Sequence, residues 1–435
     1  MDDVIIVGAG PAGANTALGL TKLGRSVTVI DERIHLGDKV CTGIIGSECV
    51  RKYPPGPGIT FGQPTSANVT TANGKTYHFS TEYPQASVID RVQYVAQFSK
   101  DAEALGAKYF LGERVVSIEV KVSCVVVSTS YRKLKGKALV IASGFGTSLL
   151  SQVGLQKGNE YMVGSQVEVE VNDMDSVHVY LDSLKTPGFF SWITPTVSNK
   201  ALVGVIADKA SKSKLDTSLK YLKSVGSINR VCGSSRSWGI PLKPIEQTYT
   251  NRVLVVGDSA GQIKPITGGG ILYSLVCGDI AASVLDSCLE KDDLSENALS
   301  VYQVLWKKKI GKEIQSSYSI RKFVEKIPNK IQSQLVKVAK THTVIEGLIA
   351  NKGMFDKHSL IFSGMFSNPA ISWVFRKNFR NSIENDDVQE TVKGISLGEA
   401  NEANEANEGN ELVHQKLPKR WYHNESLFFC AKRVC

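Results

Sequence analysis

Residues 3–33 read "DVIIVGAGPAGANTALGLTKLGRSVTVIDER", and no other stretch restricts the fold as much. The apolar run at 4–7 has the character of a central parallel strand. Gly8, Gly10 and Gly13 follow it at once in the spacing G-x-G-x-x-G. Residues 14–23 then carry a helical pattern ending near Gly24. "SVTVI" is a second strand, and Asp31 stands at its end. Strand, glycine turn, helix, strand and acid in this order form a unit that binds a dinucleotide. The glycines, with Ala12 among them, allow a tight turn and close approach of a pyrophosphate. The helix N-terminus supplies free N–H groups and a partial positive charge. Asp31, followed by Glu32 and Arg33, can accept hydrogen bonds from the adenosine ribose hydroxyls. Position alone does not separate NAD from FAD.

A second segment addresses that question. Residues 251–285 read "NRVLVVGDSAGQIKPITGGGILYSLVCGDIAASVL". A strand is expected at 253–256, with Asp258 at its C-terminal end, where ligands gather in open α/β sheets. Gly268, Gly269 and Gly270 lead into a helix expected over 271–285. Asp258 can accept a hydrogen bond from a ribityl hydroxyl. The N–H groups of Gly269, Gly270 and Ile271 can point at an anionic ring edge, helped by the helix dipole. No G-K-[ST] follows, so this is not a triphosphate P-loop.

G-D-x-A-G followed by P-x-T-G-x-G-I resembles the second FAD motif of glutathione-reductase-type flavoproteins with a hydroxylase-like fold. The form "GDSAGQIKPITGGGI", with Lys264-Pro265, looks like the geranylgeranyl reductase branch. The resemblance covers most of residues 1–310. It implies FAD, with Asp258 on the ribityl chain and the glycine-rich helix start at the N1/O2 edge. "VIDRVQYVAQFSKDAEALGAKYF" resembles the family's Arg-bearing helix, with Arg91 near the flavin. "ERVVSI" supplies Val115 and Val116, where the family's backbone meets the adenine. "ALVIASGFGTS" matches a turn that normally reads A-D-G, but Ser143 replaces the Asp.

The expected fold is α/β. A discontinuous Rossmann-like FAD domain occupies 1–55, 85–150 and 248–290. A mixed-sheet substrate domain takes 56–84 and 151–247. A helical region follows at 291–382, and the polar repeat "GEANEANEANEGNE" makes 383–435 a disordered tail. No second G-x-G-x-x-G occurs between 150 and 250, which argues against a separate NAD(P)H domain. Electrons come from transiently docked NAD(P)H or from a protein such as reduced ferredoxin.

Within the substrate domain, "PGFFSWITP" places Phe190 and Trp192 two apart, hence on one face. The segment resembles the reductase signature Y-x-W-x-F-P, with Phe190 and Thr194 as departures and Trp192, Pro195 and Gly204 retained. Phe190, Trp192 and Pro195 are the candidate substrate wall. In "DKVCTGIIGSECV" the resemblance points to Cys41, which could position an alkene or relay a proton. The implied reaction is FAD-dependent reduction of prenyl double bonds in lipid biosynthesis, on a prenyl diphosphate or prenylated lipid. A monooxygenase or halogenase is a rival. "FSWITP" matches the halogenase W-x-W-x-I-P poorly, and Lys75 is the one candidate for the halogenating Lys. A flavin-binding subunit without turnover is a second rival.

The formal net charge of +9 is uneven: residues 306–380 hold fifteen Lys or Arg against four Asp or Glu. Such a segment suits anionic lipid or phosphorylated substrates, and peripheral membrane contact is an expectation; nucleic acid is not. Within it, 358–375 is apolar enough to pack on the core or to lie in a bilayer interface. No apolar run reaches the length of a membrane span, and the N-terminus lacks the features of a signal peptide. A cytoplasmic location and reduced cysteines are expected. The eight cysteines show no metal-ligand spacing, so no metal is expected.

Overall fold

The computed structural model describes residues 1–37, 40–182, 189–208, 210–350 and 354–379. The apolar run at the N-terminus is the strand Asp2–Val7, paired in parallel with Val27–Asp31 on one side and Lys133–Ile141 on the other. Lys108–Leu111 and Val253–Val255 continue the parallel sheet outward, and Tyr249–Thr250 adds an antiparallel edge. The hairpin of Val115–Val120 and Val125–Thr129 joins along Lys133–Ile141, making eight strands.

The strands of the parallel core are buried on both faces, which explains their unbroken apolar sequence. Val4, Ile6, Val27, Val29 and Val140 point toward the helices Pro11–Lys22, Arg91–Ala104, Ile271–Glu290 and Glu296–Trp306. Ile5, Val7, Leu139 and Ile141 point toward the hairpin and the short helix Leu149–Gln152. The first helix starts at Pro11, three residues before its expected start, because proline is tolerated where no N–H is needed. The helix after the triple glycine runs to Glu290 rather than 285. Buried Cys288 and Leu289 extend its apolar pattern, and Asp286 is held by Arg25 at 2.6 Å. Its length and hydropathy suit a membrane span, but it is mostly buried in the core.

A second sheet has seven strands in the order Arg230–Pro241, Tyr161–Glu170, Lys200–Ala207, Phe190–Pro195, Val177–Leu181, Ser66–Thr71, Thr76–Ser80. All pairs are antiparallel except Val177–Leu181 with Ser66–Thr71. The early hairpin 66–80 thus pairs with strands a hundred residues later. The helix Ser211–Ser224 covers one face, packing Leu215 and Leu222 on Val167, Val203, Val205 and Ile193. The other face carries Met162, Trp192, Ile206 and Ile240.

The fold is therefore the expected α/β class: a dinucleotide-type parallel sheet, a mixed sheet and C-terminal helices. The helices Lys312–Val324, Asn329–Thr341, Val344–Ala350, His358–Ser367 and Pro369–Phe379 make up that last region. Leu335 and Ala339 bury against Val344, Ile371 and Val374, so the apolar segment 358–375 is partly core. Leu360 and Trp373 remain exposed, at 42% and 57%. The expected tail at 383–435 lies outside the described residues.

Candidate functional site

The loops at the C-terminal ends of the parallel strands enclose a polar cavity of about 540 Å³. Gly8 opens it. Its φ of +105° suits only glycine, and an added Cβ would lie 2.3 Å from the Ala142 oxygen. Gly13 packs behind the turn against the Gly8 carbonyl, so it fixes strand to helix rather than lining the cavity. Asp31 Oδ2 accepts the Ala9 N–H at 2.7 Å, and Oδ1 accepts the Arg33 N–H at 2.8 Å. The acid thus shapes the turn, and each oxygen retains a lone pair for a ligand.

Gly10, Ala12, Glu32, Arg33, Arg91, Val115 and Asp258 join Gly8 and Asp31 around this cavity. Arg91 is buried and donates to the Gly37 carbonyl, so it also anchors the loop after the second strand. Val115 is buried, whereas the Val116 side chain is 52% exposed and turned away. Ser143 stands where the acid of the A-D-G turn was looked for. Its hydroxyl is buried in the cavity wall with no hydrogen-bond partner among the described residues. An orphaned buried hydroxyl is a cost that a ligand's acceptor removes. With the glycine cradle, it shows that these residues fit a dinucleotide.

A second cavity, of about 390 Å³, lies between the mixed sheet and the start of the helix Ile271–Glu290. Its walls are mainly apolar: Phe190, Trp192, Ile206, Trp238 and Ile240 come from the sheet. The Phe190 and Trp192 rings lie with centroids 5.6 Å apart, tilted by 49°. Trp192 lies over Gly204 of the neighbouring strand, where an added Cβ would sit 2.2 Å from its ring. Trp238 lies in the same way over Gly164. Two tryptophans therefore lie flat because their strand neighbours have no side chain. Pro195 is three residues from Trp192, so it stands on the opposite face and does not line the cavity.

The two cavities adjoin. Trp238 lines both. Gly268, Gly269, Gly270 and Ile271 line the apolar one, and Gly270 sits against the Asp258 carboxylate of the polar one. Cys41 also lines the apolar cavity, with its chain held by Gln166: Nε2 donates to the Cys41 carbonyl at 3.4 Å, and Oε1 accepts from the Thr42 hydroxyl at 2.8 Å. Cys49 forms part of the same wall, and burial pushes its thiol up to about 12, so it stays protonated. Lys75, the Lys considered for halogenation, is exposed in the turn of the hairpin 66–80, away from the cavity lining.

Residues that the sequence reading missed close one end of the apolar cavity. Lys264 Nζ pairs with Asp356 Oδ1 at 2.7 Å, with side chains 8% and 3% exposed. His358 and Glu346 lie nearby in the wall. Burial, with the Lys264 charge, pushes His358 down to about 3, and its Nδ1 has no hydrogen-bond partner among the described residues. The Lys-Pro was visible in the sequence. Asp356 lies 92 residues further on, with no motif around it.

Comparison with known proteins agrees with this geometry. The family described as pyridine nucleotide-disulphide oxidoreductase matches residues 2–175. A digeranylgeranylglycerophospholipid reductase of Methanocaldococcus jannaschii is 28% identical over 342 residues, covering 75% of this chain and 87% of its own. A geranylgeranyl bacteriochlorophyll reductase-like protein of Thermoplasma acidophilum shares the fold, with a TM-score of 0.74 at 18% identity over 90% of this chain and 99% of its own. A halogenase in complex with phloroglucinol and FAD superposes less closely, with a TM-score of 0.62 at 13% identity, covering 92% of this chain and 96% of its own. The chain is an FAD-dependent oxidoreductase with a dinucleotide sheet and a mixed sheet. Within that class it is similar in sequence to the digeranylgeranylglycerophospholipid reductases and in fold to the geranylgeranyl reductase-like protein.

Proposed function

We propose that this enzyme reduces isoprenoid carbon–carbon double bonds, taking a prenylated lipid or a prenyl diphosphate as substrate. The observation that carries the reading is the junction of the two cavities. A polar dinucleotide cavity opens beside an aromatic, mostly apolar one at Trp238 and the glycine turn. An isolated alkene offers no group for hydrogen bonding, so its site must recognise shape and apolarity. Phe190 and Trp192 supply flat walls for such a chain. Bound and reduced, FAD supplies the hydride for one alkene carbon. The chain has to hold the alkene, exclude water and deliver a proton to the other carbon. Cys41 is the proposed group at the cavity for positioning or proton relay. Gly8, Gly10, Ala12, Asp31, Glu32, Arg33, Arg91, Val115 and Asp258 hold the dinucleotide, and Gly268 to Ile271 face its ring. Gly13 supports the turn from behind.

The electron donor is docked NAD(P)H or a protein such as reduced ferredoxin. The exposed Lys307, Lys308 and Lys309, with Trp373, favour transient contact with anionic lipid, which would supply a membrane-borne substrate.

The test is anaerobic. Reduced protein is mixed with geranylgeranyl diphosphate or an unsaturated archaeal-type lipid, and flavin reoxidation is followed with mass analysis of the product. A gain of two hydrogens per double bond is expected. Absence of reoxidation by every prenyl substrate, with oxygen-dependent turnover of an aromatic instead, would overturn the reading in favour of a halogenase or monooxygenase. In the same assay Cys41→Ser should slow alkene reduction at least tenfold with FAD still bound. An unchanged rate removes Cys41 from the mechanism.

A further inference from the structure

Lys264 and Asp356 are fixed from three directions. The Lys264 N–H donates to the Gly269 carbonyl at 3.0 Å, and the Gly268 N–H donates to the Lys264 carbonyl at 2.9 Å. The Lys264 backbone is therefore part of the glycine turn. Arg321, fully buried, donates to the Pro265 carbonyl at 2.7 Å and holds the turn from outside. Asp356 enters from the C-terminal turn Met354–Asp356. Its Oδ2 accepts the Glu48 N–H at 3.0 Å, and its carboxylate lies against Gly46, where an added Cβ would be 2.2 Å away. Segments around residues 46, 264 and 356 thus converge to neutralise one ammonium. A buried ion pair of this kind is rarely more stabilising than apolar packing of the same volume, so stability does not account for it.

Its position does. The turn that carries Lys264 opens the helix Ile271–Glu290, whose free N–H groups and dipole already favour negative charge. Gly270 touches Asp258, so this turn borders the place where the dinucleotide cavity meets the apolar one. A flavin ring at that junction gains negative charge on reduction, and fixed charges near it set its potential. An uncompensated Lys264 would add to the dipole and favour the reduced state, making it a weaker donor. We propose that Asp356 holds down the reduction potential of the bound flavin by neutralising Lys264, and so keeps the reduced cofactor a strong donor. The purpose rests on the alkene reading, since an alkene without a polarising group demands a strong donor. The electrostatic effect rests on the FAD site alone.

The test is a spectroelectrochemical titration of the full-length, FAD-loaded protein without any alkene. Asp356→Asn should raise the two-electron potential by about 30 mV or more, a tenfold shift toward the reduced form. Lys264→Met should shift it the other way. The double variant Lys264→Met with Asp356→Asn should return close to the wild-type value. Circular dichroism and FAD absorbance check that each protein is folded and loaded. The single variants move in opposite directions, so either one that folds decides the matter. Unchanged potentials, or shifts of the same sign, overturn the proposal. Failure of the prenyl reading would look different: no alkene turnover by the wild type, with the potential shifts intact.

Discussion

Gly204 shows how one missing side chain shapes this site. It pairs with Trp192 across the mixed sheet, and the indole occupies the space a Cβ would need. Gly204→Ala would press a methyl group into a buried ring and tip it into the apolar cavity. Overpacking of this kind costs about 1–3 kcal/mol. Because Gly204 is absent from the dinucleotide cavity, FAD affinity should hold while prenyl turnover falls. Urea unfolding, flavin titration and the alkene assay read the three quantities separately. Restoration of turnover by a second change, Trp192→Phe, would tie the loss to the indole; equal loss of FAD and turnover would refute it. The glycine was readable as a retained letter of the signature. Its reason was not, because cross-strand pairing depends on register, which the letters do not state. Period two does separate Trp192 from Pro195, and Pro195 joined the expected wall only through the signature.

At the scale of elements, the C-terminal turn and the helix His358–Ser367 carry the chemistry that the sequence hid. His358 begins that helix with Nδ1 buried and without a hydrogen-bond partner among the described residues, and burial beside the Lys264 charge pushes it down to about 3. The folded value lies below the ordinary one near 6.5. The stability linked to neutral His358 is fully present above pH 6.5. It is lost as pH falls toward 3, because the unfolded chain binds the proton that the folded chain refuses. Between pH 7 and pH 5 the loss is at most about 2 kcal/mol. Urea midpoints at those pH values should show it in the wild type, with a flatter dependence in His358→Gln. Equal slopes in both proteins would count against it. The dinucleotide unit was legible because its signals lie within 31 residues of contiguous chain. The strand Arg230–Pro241 was not expected. It is an edge strand of Gly, Ser and Arg with most residues part-exposed, and its pairing with Tyr161–Glu170 slips at Gln166 to Glu168. An edge strand needs no alternating apolar pattern, so periodicity misses it. Asp356 reaches Lys264 across 92 residues and Gln166 reaches Cys41 across 125, a distance at which no local pattern survives.

For the whole molecule, the decisive feature is that one cavity is walled by both sheets. Gly8, Asp31, Ser143 and Asp258 come from the parallel sheet and its loops, and Arg236, Ser237, Trp238 and Gly239 come from the far edge of the mixed sheet. A ligand filling this space ties the two sheets together. Binding to the folded state alone stabilises it by about 2.7 kcal/mol when free FAD exceeds its dissociation constant a hundredfold. Hydrogen exchange of the FAD-free and FAD-loaded protein should resolve where that energy is felt. Protection is expected at Gly8 to Gly13, at 142–148 and at 257–261, and also at 236–239, about 230 residues from the first glycine turn. Gly8→Ala, whose Cβ would meet the Ala142 oxygen, should abolish all four effects together, since its damage lies in the turn that cradles the pyrophosphate. Protection confined to the parallel sheet would mean that the cofactor ends short of Trp238. The junction of the two cavities would then lose its role, and the apolar cavity would need another explanation.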